Sequence, residues 1–339
     1  MRKKLFIISS EKISSPNGKD FYCDNIDMQS TPEKLNEHFD VHVISKKTKK
    51  VKSKQIKIDS INIRENIVKY LIQIIKTRNE TNSKYLIVSI SPYTFLASLV
   101  LWIFKKKPYV YLRSNGFEEY KVLLGITGYF IYFFMFSIIS KISILIACRE
   151  HILNGKNGYT VKPSLLDEQW TANISSSEVV KNNLLYVGRV KKEKGIFSLI
   201  KILEGQKDIN LTIVGRENDQ EIETKSQNIN IIEIVNDKKK LIELYDRHSI
   251  FILPSFTEGH PMVLLEALAR RRPVIIFNEI KHVIGYFKGV FIADRNTSSL
   301  IEKINYIKNN YKIIQQEMKN NKLPSNIEFI KKITDIINN

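Results

Sequence analysis

An α/β fold of two domains with mainly parallel sheets is what this sequence predicts, and three observations carry the prediction. Short apolar runs alternate with stretches of helical periodicity along most of the chain. The alternation pauses in a polar segment at 165–183, which contains Ser175-Ser-Ser, and then resumes. With 339 residues the chain can bury two cores of ordinary size.

The first domain is expected at 1–165. Its opening, Met1-Arg-Lys-Lys-Leu-Phe-Ile-Ile, is basic, but the apolar run is too short for a signal peptide and reads as a buried strand at 5–9. Further strands are expected at 41–45, 85–90, 109–113 and 142–148. Apolar residues at helical spacing predict a helix over 61–78, and 94–104 reads as a buried helix. The stretch 122–140 has nineteen residues without a formal charge, long enough to be a transmembrane candidate. Gly125, Gly128 and several hydroxyl-bearing residues favour a buried or membrane-dipping helix instead. Residues 166–183 read as a linker. The second domain, 184–320, has strands expected at 184–187, 211–214, 231–235, 250–253 and 274–277. The last segment, 321–339, is expected as a helix that packs back on the first domain.

Charge is unevenly divided. Residues 1–165 hold 27 Lys and Arg against 13 Asp and Glu, whereas the remainder holds 26 against 22. The first half is therefore expected to face something anionic, or to carry a general lysine excess of composition. Lys105, Lys106, Lys107 and Lys121 flank the apolar stretch and would suit peripheral docking on an anionic membrane surface. The run 46–57 contains no acid and reads either as a second such patch or as a solvated loop. Aromatic residues are not interleaved with the lysines, so a nucleic-acid partner is not expected. Only Cys23 and Cys148 are present, which excludes a disulfide scaffold and fits a reducing, cytoplasmic setting.

Chemistry concentrates in the second half. In Tyr186-Val-Gly-Arg-Val-Lys-Lys-Glu-Lys-Gly, a strand ends near Gly188 and is followed by Arg189 and Lys194 before a helix start. Two cations on such a loop suit a diphosphate, both when it binds and when it gathers charge as a leaving group. In Pro254-Ser-Phe-Thr-Glu-Gly-His-Pro-Met-Val-Leu-Leu-Glu, Glu258 and Glu266 stand eight positions apart. Gly259 permits close backbone approach, and Pro261 reads as the first residue of a helix. The N–H groups of such a helix start attract anions. Glu266, one to two turns further on, can accept hydrogen bonds from sugar hydroxyls.

Taken together, Tyr186-Val-Gly-Arg…Glu193-Lys-Gly-Ile, Leu211-Thr-Ile-Val-Gly and Leu253-Pro-Ser-Phe-Thr-Glu-Gly-His-Pro…Glu266-Ala-Leu-Ala…Pro273-Val-Ile resemble the nucleotide-sugar domain of family-4 retaining glycosyltransferases. The resemblance covers about 184–277 and includes the family's E-x7-E spacing. It implies the GT-B fold, two Rossmann-like domains with the donor bound in the cleft between them. It also implies roles. Arg189 and Lys194 would bind the donor diphosphate, and Glu258 the donor sugar, helped by the backbone of Gly259, His260, Pro261, Met262 and Val263. Glu266 would hold the ribose, while Gly188, Gly215, Arg216 and Val235 would lie near the nucleotide.

The implied reaction is hexosyl transfer with retention from a nucleotide diphosphate sugar, on family frequency a UDP-sugar, to a lipid-linked or growing saccharide. No cofactor or bound metal is expected, since no Asp-x-Asp motif and no histidine cluster is present. The resemblance departs in two places: Arg271 stands where the family has glycine, and Asn278-Glu-Ile-Lys-His-Val replaces a glycine-rich donor loop. Those departures leave a second class open, a catalytically silent protein that binds nucleotide or glycan as a partner subunit. In the first domain, Gly18 and Lys19 are candidates for a phosphate-approaching loop, and Arg113, Asn115 and Glu118 for acceptor or sugar contacts.

Overall fold

The computed structural model describes residues 2–174, 182–216 and 226–339. The chain divides into two units: Met1–Pro163 with Ile327–Asn339, and Ser164–Asn326. The serine-rich 175–181 part of the expected linker lies outside the described residues. The preceding part is not free connection, because Leu166 and Trp170 belong to the core of the second unit.

The first unit is built on a seven-stranded parallel sheet. Its order is Ser60–Arg64, Asp40–Lys47, Lys4–Ile13, Ser83–Val88, Tyr109–Leu112, Ile144–Ala147 and Gly158–Thr160. Along the strand Lys4–Ile13 side chains alternate between two cores. Leu5 and Ile7 face a layer that includes Phe329, Ile330, Ile333 and Ile337 of the helix Asn326–Asn338. Phe6 and Ile8 face a layer with Tyr70, Leu101, Tyr132 and Phe136. Strands covered on both faces must be apolar throughout, which is why Tyr109–Leu112 is buried at every position.

One expected helix is shorter than its pattern suggested. Residues 60–64 form an edge strand, Ser60 pairing opposite His42. The helix is Ile67–Lys76, opened by the Asn66 side chain, which accepts from the Lys69 amide. Ser-Ile-Asn-Ile-Arg alternates with period two, and its isoleucines merge by chance with the helical spacing that follows. The lysine run is also partly structured. Lys54–Ile56 pairs antiparallel with Phe21–Cys23, Lys47 binds Glu65 at 3.1 Å, and Lys52 pairs with Asp24.

The apolar stretch does not form one spanning helix. The helical segment Gly116–Ile142 is interrupted at Gly125, whose φ of 65° and ψ of −151° reverse the chain. Phe117 touches Tyr129, Tyr132 and Phe136, while Tyr120 touches Tyr132. Such contacts require the two segments to lie antiparallel, as a helical hairpin. Glycine permits this twice over. A Cβ on Gly128 would lie 2.0 Å from the Tyr120 carbonyl oxygen, and one on Gly116 would lie 2.0 Å from the Tyr132 ring.

The second unit carries a six-stranded parallel sheet. Its order is Ile229–Glu233, Asn210–Arg216, Asn183–Val187, Ile250–Leu253, Val274–Phe277 and Val290–Ala293. With the strands numbered along the chain, this is the 3-2-1-4-5-6 arrangement of doubly wound sheets, in which strand order reverses between Asn183–Val187 and Ile250–Leu253. Ligands of such sheets bind outside the carboxyl ends of the strands at that reversal. The loops leaving these two strands are the ones that carry Arg189 and Lys194, and Glu258.

Three consecutive arginines close the helix Met262–Ala269. Arg270 and Arg272 are each 1% exposed and both bind Asp246. Arg270 also donates to the carbonyls of Trp170, Ala172 and Asn173, tying that segment into the unit. Arg271, at the position of the family's glycine, has φ 52°. The backbone there keeps the left-handed turn that glycine would make without steric cost.

Candidate functional site

The two loops at the strand reversal are joined through their backbones. Gly195, with φ 68°, packs so close to Pro254 that a Cβ would lie 1.9 Å from the Pro254 carbonyl oxygen. The Phe256 amide donates to the Glu193 carbonyl at 3.0 Å. This contact brings the side chains together. Lys194 Nζ reaches Glu258 Oε1 at 2.7 Å, and Ser255 Oγ donates to the same oxygen at 2.6 Å. Glu258 Oε2 has no hydrogen-bond partner among the described residues. Lys194 and Glu258 keep 21% and 10% of their side-chain surface exposed, so the pair is sheltered but reachable. Charge-assisted bonds of this length are the stronger kind and hold the carboxylate in one orientation.

Gly188 and Gly215 meet back to back at the ends of neighbouring strands. A Cβ on Gly215 would lie 2.2 Å from the Gly188 carbonyl oxygen, and one on Gly188 would lie 2.8 Å from the Tyr186 hydroxyl. That hydroxyl donates to the Arg189 carbonyl at 2.9 Å. Burial pushes the Tyr186 hydroxyl well up, and the Glu258 carboxylate adds to the shift, while the Arg189 guanidinium opposes it. Arg189 and Glu258 therefore act on one buried group, although Arg189 itself is exposed.

Beyond the loop, Pro261 occupies the capping position rather than the first helical turn, and the helix runs Met262–Ala269. Proline offers no side-chain cap, so the leading N–H groups are not capped by a side chain. Glu266 is 8% exposed. The buried Tyr245 hydroxyl donates to its Oε2 at 2.8 Å, with the Val263 carbonyl at 3.4 Å. Burial, reinforced by the Glu266 carboxylate, holds the Tyr245 hydroxyl far above its ordinary range, so it stays a donor. His260 is half-buried between Gly259 and Pro261.

Arg216 ends the strand next to Asn183–Val187, and Val235 follows the strand beyond it. Arg216 pairs with Glu233 at 3.3 Å on the neighbouring strand. Val235 packs against the core just beyond that strand. In place of a glycine-rich loop, Asn278–Val283 forms a short 3-10 helix. From it, His282 Nε2 lies 2.7 Å from the Glu258 carbonyl oxygen. Arg295 binds Glu279 at 2.6 Å and stacks over Phe256 at 4.1 Å and Phe277 at 4.3 Å. The loop bearing Glu258 is thus held from Lys194 on one side and from His282 and Arg295 on the other.

Candidates in the first unit are engaged locally. Gly18 (φ 74°) and Lys19 lie on a turn in which the Asn17 side chain accepts from the amides of Lys19 and Asp20. Gly18 also lines an open groove of about 350 Å³ with Lys47, Arg64 and Lys69. Arg113 donates to Ser89 at 3.3 Å and lies 3.9 Å from Asp27. Asn115 caps the helical hairpin by accepting from the Phe117 amide, and Glu118 is exposed in its first turn. Among the described residues, no group of three or more His, Cys, Asp or Glu side chains could hold a metal ion.

Ser255, Tyr245, Tyr186, His282 and Arg295 were not singled out from the sequence. Only Ser255, three positions before Glu258, left a local signal, since serine at that distance commonly bonds a neighbouring polar group. Tyr186 and His282 lie in segments the motifs include but were given no role there, while Tyr245 and Arg295 arrive from separate elements whose own neighbourhoods carry no mark.

Residues 171–323 match the family described as Glycosyl transferases group 1. A glycosyltransferase of Haemophilus influenzae is 26% identical over 171 residues, which make up 47% of this chain and 48% of that protein. The capsular polysaccharide biosynthesis glycosyltransferase CapM of Staphylococcus aureus is 30% identical over 134 residues, 35% of this chain and 34% of CapM. These matches thus span from about a third to about half of the relatives' length. In fold, the chain is similar over its whole length to Anabaena HepE in complex with UDP and glucose. The TM-score is 0.67, at 10% identity and with 100% of both chains covered. The fold is GT-B.

Proposed function

Residues 171–323 match the group 1 glycosyl transferases, and on that premise we propose that the protein moves a hexosyl group from a nucleotide diphosphate sugar to a saccharide hydroxyl with retention. The observation that carries this reading is Glu258. Its carboxylate is fixed through one oxygen by Lys194 and Ser255, with the other oxygen left for a ligand, beside an uncapped helix start. In this reading Oε2 of Glu258 accepts from a hydroxyl of the donor sugar. Lys194 and Arg189 neutralise the diphosphate, the N–H groups of Met262 and Val263 face it, and Glu266, oriented by Tyr245, accepts from the ribose.

The step breaks the bond from the anomeric carbon to the β-phosphate oxygen and forms one to the acceptor oxygen on the same face. The acceptor proton passes to the departing phosphate, so no separate base is required. Lys194 and Arg189 act most strongly as charge develops on that phosphate. They take the part a divalent ion would otherwise play, and turnover is expected to survive chelators. UDP-sugars are the assigned donors, in keeping with the UDP bound by HepE. The acceptor is assigned as a lipid-linked or growing saccharide of a surface polysaccharide, in keeping with CapM, at the inner face of the cytoplasmic membrane.

A thermal-shift series with UDP, GDP, ADP and their sugars identifies the nucleotide, because a ligand of the folded state raises its melting temperature by mass action. Sugar transfer by Lys194→Ala is expected to fall tenfold to about a thousandfold, and by Glu258→Gln comparably. Unchanged transfer in both variants would refute this site. The altered 278–283 loop, tethered to Glu258 through His282, favours one other reading, a silent nucleotide-binding subunit. That reading requires a thermal shift with UDP and no transfer by the unaltered protein.

A further inference from the structure

The helical hairpin leaves a large apolar surface uncovered. Its inner stripe, Tyr132, Met135, Phe136 and Ile139, is buried against the first sheet. Its turn and outer stripe are not. Val122 is 68% exposed, Leu123 74%, Ile126 62% and Phe130 62%, with Phe133 and Phe134 also exposed. The neighbouring helix Pro92–Ile103, joined through the contact of Phe95 with Phe134, extends this surface with Trp102 and Ile103.

We propose that the Gly116–Ile142 hairpin is a membrane-insertion element that lies in the headgroup–acyl boundary of an anionic bilayer without crossing it. Three features select lipid over another protein. The exposed apolar residues ring the turn (Val122, Leu123, Leu124 and Ile126) and continue along the outer stripe with Phe130, Phe133 and Phe134, a set that a fluid acyl layer covers without any shaped counterpart. It is bordered by charge of one dominant sign: residues 105–141 hold six Lys and Arg against Glu118 and Glu119, which complements anionic headgroups. Trp102 and Tyr129 are exposed within it, amphipathic rings that favour the membrane interface.

The reversal at Gly125 sets the depth. Each of the two helices ends there, and their terminal N–H and C=O groups are not all satisfied within a helix. The Thr127 hydroxyl bonds one of these, the Leu124 carbonyl, at 2.7 Å. The remaining groups need water or headgroups, so the turn is excluded from the hydrocarbon centre. Amphipathic helices in this position sit about 5–10 Å into the boundary. The inference rests on the transferase reading only for its purpose, which is to hold the enzyme where a lipid-linked acceptor lies.

The contact is tested with the full chain and no sugar nucleotide, so its outcome is independent of catalysis. Co-sedimentation uses vesicles of phosphatidylcholine with phosphatidylglycerol. The expected result is binding that weakens with salt and falls about tenfold or more in Leu123→Asp and Phe130→Asp. Both positions are exposed, so the folded unit tolerates the change. Leu123→Cys, carrying a polarity-sensitive dye, should shift to the blue on vesicles, while a dye at Glu302→Cys should not; native Cys23 and Cys148 are buried and will not compete. Absence of vesicle binding, or binding indifferent to both aspartates, overturns the proposal. So does a lipid-independent dimer that Leu123→Asp dissolves, which would make a second copy the occupant.

Discussion

Tyr245 orients Glu266, the carboxylate proposed to bind the ribose, from inside the core. It is fully buried, and its hydroxyl fixes Glu266 at 2.8 Å. Tyr245→Phe keeps the ring and removes the donor, so Glu266 loses its orientation and a charge-assisted bond. The expected outcome is a donor KM raised roughly tenfold with kcat lowered less than about threefold, read from steady-state kinetics. His248 makes a different prediction. Its ring is 2.7 Å from the Leu244 carbonyl and 2.8 Å from the Thr212 hydroxyl, and burial lowers its pKa below the ordinary 6.5. The folded state then binds fewer protons than the unfolded one below about pH 6.5, so stability contributed here is complete above that pH and declines as pH falls through it. Urea midpoints between pH 8 and 5 should fall more steeply for the unaltered chain than for His248→Gln. Equal slopes would remove His248 as the cause.

At the scale of elements, the ends of strands matter more than their middles. The turn at Arg271 is left-handed, with φ 52°, and a side chain there carries a steric cost of about 1 kcal/mol. Arg271→Gly relieves it and loses some of that gain to a more flexible unfolded chain, so a stabilisation of up to about 1 kcal/mol is expected in urea titration. A loss of stability would mean that the Arg271 side chain contributes more than its backbone strain costs. The sequence made strands such as Ile250–Leu253 and Val274–Phe277 legible, because burial on both faces demands unbroken apolar runs. It hid Gly158–Thr160, an exposed three-residue edge with no such demand, and Ser60–Arg64, whose alternation ran into the following helix. For the site, Lys194, Glu258 and Glu266 were legible because a loop and a helix start impose local residue types. Tyr245, His282 and Arg295 were not, since their contacts are made across distances in sequence that carry no periodicity. The hairpin was half legible: Gly125 and Gly128 argued against a span, but the reversal itself is a matter of φ and ψ.

The whole molecule is organised by a chain that leaves its first unit and comes back. Residues 327–338 return to supply Phe329, Ile330, Ile333 and Ile337 to the first core, and the Ile337 carbonyl lies 3.3 Å from the Tyr109 hydroxyl. Removing 327–339 should therefore unfold the first unit while the second stays protected, as limited proteolysis or hydrogen exchange would show. Equal protection of both would mean that the helix adds little to that core. The same return path has a consequence during synthesis. A ribosome delivers residues in order, yet the unit that begins first cannot complete its core until 327–338 have emerged. The second unit, continuous from Ser164 to Asn326, is released earlier in finished form. The basic first half, with its apolar hairpin, therefore waits incomplete while the second unit is already folded, and a nearby membrane surface would meet the hairpin before the opposite face of its sheet has been covered.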